Sequence, residues 1–162
     1  MGLDIYSKKR DLRFSIGYAG FMFLRNSLMD CVLPGFGALH WWAVNCSQHA
    51  MPFLAEKGWN NKADTMEYEI SAVTKATPRQ FGLCCDKVLY AWFKVHKMTA
   101  FWDLLICHSD CGGKLTPKQC SRLIKDLDKI KVDDSAPWKE QYLKFYNVLK
   151  EAANRNETLF FG

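Results

Sequence analysis

The sequence lacks any long run of like charge: Lys8, Lys9 and Arg10 form its one triplet, and Asp11 follows at once. A basic tail of the kind that coats duplex nucleic acid is therefore excluded. There is no CxxC pair, because Cys84 and Cys85 are adjacent, and no Ser or Cys stands in a nucleophile-elbow sequence. Redox-pair chemistry and covalent catalysis lose their support with those absences. An apolar signal core is missing from the opening MGLDIYSKKR, and seven cysteines are an odd number, so reduced thiols in a cytoplasm are the expectation. The acylation pattern fails as well, since Tyr6 stands where Ser or Thr is wanted after Gly2. Residues 31–55 hold no Asp, Glu, Lys or Arg, but Pro34, Gly35, Gly37, His40, Asn45, Gln48, His49 and Pro52 interrupt them. That reads as a buried segment and not a span of about 20 apolar residues.

What the chain does have is core material. In 162 residues, 49% are hydrophobic, with eleven Phe, six Tyr and six Trp, enough for one compact domain over 1–162. Leu3 to Ser7 and Leu12 to Ile16 flank a charged break and read as an antiparallel hairpin. Phe21, Leu24, Leu28 and Val32 recur at helical spacing until Pro34, giving a helix over 20–32. A second helix is expected over 38–55, a polar loop over 57–64, a strand or helix around Met66 to Ser71, and a capped helix start at Thr77, Pro78 and Gln80. Val88 to Cys107 is apolar almost all round, a core helix with a break expected near Thr99.

The capping device recurs at Thr116, Pro117 and Gln119 and opens a helix whose Cys120, Leu123, Ile124, Leu127 and Ile130 trace one apolar face. The last helix is expected to start at Asp134 or Ser135, with Trp138, Tyr142, Phe145, Leu149 and Ala152 as its stripe, before a closing strand at Thr158 to Phe161. Three strands against helices bury what two cannot. The expected fold class is thus α+β, a mostly helical domain with a small antiparallel sheet made of the N-terminal hairpin and the C-terminal strand.

The segment richest in polar chemistry is the turn His108, Ser109, Asp110, Cys111, Gly112, Gly113, Lys114. As a calcium loop it fails, because His108, Gly112 and Gln119 fall where oxygen ligands belong. As a zinc site, Cys107, His108, Cys111 and Cys120 are poorly spaced, and Cys107 and Cys120 fall on apolar faces where thiols pack as small hydrophobes. His40, Cys46 and His49 read as core residues on the same grounds. No metal or cofactor is called for, and the leaning is toward a protein that is not an enzyme, although an acid/base pair of His108 and Asp110 is conceivable. The basic stripe Lys114, Lys118, Arg122, Lys125 and Lys129 suits phosphate, while Asp126 and Asp128 dilute it enough to disfavour duplex DNA. The ligand-binding set expected from the sequence is His108, Asp110, Lys114, Lys118 and Arg122, beside the bland reading of a structural turn next to a solvated helix face.

Met1 to Tyr6, Gly17 to Phe21, the His108 to Cys111 motif with Gly113, Thr116 and Cys120, and Leu159 to Phe161 together resemble an uncharacterised family of small phage and bacterial proteins. Gly112 departs from that family, which commonly has an acid there, and residues 31–85 match nothing in it. The resemblance implies a cytoplasmic phage or bacterial accessory protein that acts by binding, sequestering a nucleotide-derived immune signal without turnover. A pocket lined by Trp and Arg would suit that role. Two other readings stand beside it: an inhibitor that docks on a host defence protein through an aromatic patch, and a metal-dependent hydrolase. A homo-oligomer is compatible with all three, and a membrane partner with none.

Overall fold

The computed structural model describes residues 2–33, 90, 93–108 and 112–162. β1 (Gly2–Ser7) and β2 (Arg13–Gly17) pair antiparallel, from Gly2 opposite Gly17 to Tyr6 opposite Arg13, as the alternating pattern predicts. Leu3, Ile5 and Phe14 point to the core, while Arg13 and Ser15 are exposed. Arg10 takes a left-handed φ of 58° in the connecting turn. There the Ser7 hydroxyl donates to the Asp11 carboxylate at 2.7 Å, and this bond, with Arg155 nearby, holds the Asp11 carboxyl below its ordinary value.

α1 (Tyr18–Val32) begins directly after the strand and buries Phe21, Leu24, Leu28 and Met29. Gly20 lies inside it and does not break it. A Cβ there would come within 2.9 Å of Ile16 Cγ1, so the glycine lets the helix fold back closely on its own strand. In the expected helix over 88–107, the described residues 93–95 are helical and the path is interrupted at His96 and Lys97, where Lys97 has a φ of 54°. It resumes as α2 (Thr99–Phe101) and widens into a π-turn, Trp102–Ile106, closed by the Cys107 N–H donating to the Trp102 carbonyl at 2.9 Å. The interruption thus precedes Thr99. The expected helix over 38–55, the loop over 57–64, the element at Met66 to Ser71 and the helix start at Thr77 lie outside the described residues.

β3 (Gly113–Leu115) leads through Thr116 into α3 (Pro117–Leu127), whose capping box is complete: the Gln119 amide donates to Thr116 Oγ1 at 3.3 Å and the Thr116 amide to Gln119 Oε1 at 2.8 Å. α4 (Lys139–Asn154) buries Tyr142, Phe145, Leu149 and Ala152, the stripe expected of it. Its start differs from the expectation. Ser135 is held in a turn by Asp133, whose carboxylate accepts both its amide and its hydroxyl, and the helix begins only after Trp138.

β4 (Leu159–Phe161) closes the chain, and the sheet has the order β2-β1-β4-β3, antiparallel throughout. The fold is the mostly helical α+β architecture expected, with β3 as a fourth strand that the sequence reading assigned to a turn. Two glycines precede a single Leu there, so no alternation marks it. The described helices share one side of the sheet, where Phe21 meets Phe145 and Phe161 at centroid distances of 6.0 and 6.4 Å and Phe14 meets Phe145 at 5.5 Å. Among the described residues, no helix is long and apolar enough to cross a membrane.

β4 is an inner strand, bonded on both edges, so deleting Glu157 to Gly162 removes two ladders and two buried side chains, Leu159 and Phe161. The truncated chain is expected to lose its cooperative thermal transition or to melt far below the full chain by circular dichroism; an unchanged melting temperature would contradict this sheet order.

Candidate functional site

The expected ligand set is divided by the sheet. His108 lies on the core side, its ring 4.1 Å centroid to centroid from Phe161. It also fills the space beneath Gly113, where an added Cβ would come within 2.8 Å of His108 Cε1. Gly113 has a φ of 128°, so it answers both to the backbone turn and to this close approach. The His108 carbonyl accepts from Arg25 Nη2 at 2.5 Å, and the same guanidinium lies 4.4 Å from the centre of the Phe21 ring. Arg25 is buried, so these contacts tie the turn to α1 and to the sheet. Asp110 lies outside the described residues, and so do Ser109 and Cys111.

Lys114 follows Gly113 on β3 and therefore projects to the opposite face of the sheet from His108. Its neighbour in register is Phe160. Lys118 and Arg122 stand one turn apart on the exposed side of α3. The structure thus groups Lys118 with Arg122 on α3 and points Lys114 to the sheet face opposite the His108 ring.

The basic stripe is less diluted than its sequence suggests. Asp126 is buried and accepts the Phe101 amide at 3.0 Å, so it serves the packing of α2 on α3. Asp128 accepts the Tyr146 hydroxyl at 2.6 Å, which raises the Tyr146 pKa. Lys129 is withdrawn from the stripe by the Lys97 carbonyl at 2.6 Å and Asp126 at 3.1 Å. Lys114, Lys118, Arg122 and Lys125 make no ion pair or hydrogen bond among the described residues. The helix start adds little to them: Pro117 has no N–H, and the Gln119 amide is taken by Thr116.

The chain matches no family model, no curated protein and no solved structure.

Metal chemistry finds no gathered ligand set among the described residues. Cys120 is buried against the Leu115 carbonyl, and burial pushes its thiol up to about 11, whereas Cys107 is exposed. A metal ligand must be a thiolate, and burial disfavours that form at Cys120. A further group on the sheet escaped sequence reasoning: Tyr6 and Phe160 are register partners, with ring centroids 6.2 Å apart on the face away from the helices. Each lies in an alternating strand as the unburied residue, but their adjacency depends on a pairing between the two ends of the chain.

Two expected outcomes follow from these placements. Gly113→Ala should destabilise the fold by about 1–3 kcal/mol in urea titration, since it strains the backbone and displaces the His108 ring; wild-type stability would refute that packing. Cys120 should resist a thiol reagent at pH 8 until the chain is unfolded. Because its pKa is raised in the fold, its contribution to stability is whole below the unfolded value near 9 and declines as pH rises toward 11. Rapid native-state labelling of Cys120 would contradict its burial.

Proposed function

We propose that the protein binds a small phosphorylated, nucleotide-like anion without turning it over. It does so with the exposed face of α3, where Lys118 and Arg122 carry the phosphate contacts and Lys125 flanks them. In a phage or bacterial cytoplasm this amounts to sequestration of a nucleotide-derived immune signal. The observation that carries this reading is the fate of the stripe's acids. Asp126 is buried and paired with Lys129, and neither it nor Asp128 makes an ion pair with Lys118, Arg122 or Lys125 among the described residues. Exposed cations one helical turn apart suit a phosphate group, whose binding is sensitive to salt. The cluster supplies positive charge, which suits holding a phosphate group.

The test is a panel of cyclic and ADP-ribose-type nucleotides, scored by melting temperature and then by calorimetry. Lys118→Glu with Arg122→Glu should weaken binding of any hit by tenfold or more and flatten its salt dependence, and the ligand should be recovered chemically unchanged. Equal affinity in the double variant would remove the site from α3, and a converted ligand would make the protein an enzyme.

A further inference from the structure

The outer face of the sheet carries a row that the sequence scatters over the whole chain. Arg13 on β2 is opposite Tyr6 on β1, Tyr6 is opposite Phe160 on β4, and Phe160 is opposite Lys114 on β3. These four residues alternate with Phe14, Ile5, Phe161 and Leu115 on their strands, which face inward. Two aromatic rings thus lie side by side with a cation at each end, across strands about 5 Å apart. Tyr6 and Phe160 are only partly buried, and the described helices pack on the other face. The Arg10 guanidinium lies 5.2 Å from the centre of the Tyr6 ring, and Lys8 and Lys9 are exposed in the same turn. The one acid facing this side of the described strands is Asp4, held by Arg13 at 2.7 Å and lowered in pKa first by its hydrogen bond with Ser15.

We infer that this face binds single-stranded nucleic acid, with unpaired bases stacked on Tyr6 and Phe160 and phosphates held by Lys114 and the Lys8 to Arg10 turn. The charges call for a polyanion, and the rings call for one with exposed planar groups. A duplex offers its phosphates but keeps its bases stacked inside, whereas a single strand offers both. The inference is separate from the anion site on α3, since its rings lie on the sheet and it needs neither Lys118 nor Arg122.

Fluorescence anisotropy of a labelled oligothymidylate with the full chain tests it, with a duplex of equal length as comparison. The single strand should bind more tightly than the duplex, and affinity should fall as salt rises. Tyr6→Leu with Phe160→Leu should weaken binding by roughly tenfold or more, while Tyr6→Phe, which keeps the ring, should bind as the wild type does. Melting curves check that the Leu pair folds. Should it not fold, Lys114→Glu supplies the second arm, because this side chain is exposed and its reversal should also weaken binding and lower the salt slope. No binding by the wild type, equal affinity for the duplex, or unchanged affinity in the Leu pair overturns the inference. Loss in Lys118→Glu with Arg122→Glu beside an unaffected Leu pair also overturns it, by moving the oligonucleotide to α3.

Discussion

Leu159, Phe160 and Phe161 sit between two strands that neither meet nor adjoin in sequence, and the sheet depends on them. β4 bonds to β1 on one edge and to β3 on the other. Its inward residue Phe161 touches Phe21 of α1 and the His108 ring, so the terminal strand joins the sheet to the helical side and to the glycine turn. Its outward residue Phe160 completes the aromatic pair with Tyr6. A single alternation along three residues thus contributes to the core on one side and to the aromatic row on the other. The cost is entropic: the strand must find partners near the beginning of the chain and more than one helix upstream, and such long-range pairings repay their closure only once the core has formed.

The charge pattern follows from the same packing. A net charge of +5 is modest, and its effect depends on which cations keep a neutralising neighbour. Asp126 is consumed by the amide of Phe101, Asp11 by the hairpin turn and Arg155, and Asp4 by Arg13. Surface pairs of this kind add little stability, so their consequence is chiefly where the positive potential is left. It is left on the exposed side of α3, at Lys114, and around the Lys8 to Arg10 turn. The His108 ring, by contrast, lies against Phe161 beside the glycine turn.

Much of the fold was legible because it is periodic or chemically punctuated. The hairpin showed in alternation around a charged break, α1 in its Phe21, Leu24 and Leu28 spacing, α3 in its Thr116 to Gln119 capping box, and α4 in a stripe ending at Ala152. The elements that escaped have no such local mark. β3 is three residues including a glycine, and it is a strand only because β4 lies beside it. The start of α4 moved because Asp133 captured Ser135 first, a competition between two cap-like side chains that composition alone leaves balanced. The widening at Trp102–Ile106 accompanies the stacking of Trp102 on Phe93, a contact with no local mark in the sequence.

For the candidate site the division is similar. That Lys118 and Arg122 share an exposed face follows from helical periodicity and the cap that sets its phase, so the local sequence was enough. Whether acids would cancel them was decided elsewhere, by α2 approaching closely enough to claim Asp126 and by α4 bringing Tyr146 to Asp128. The same holds for Arg13, Tyr6, Phe160 and Lys114. Each was visible as the outward member of its strand or turn, but their order across the sheet is a matter of register between distant segments. Local pattern settles which way a side chain faces; only the assembled sheet settles what stands next to it, because pairing partners are chosen by the burial of the opposite face.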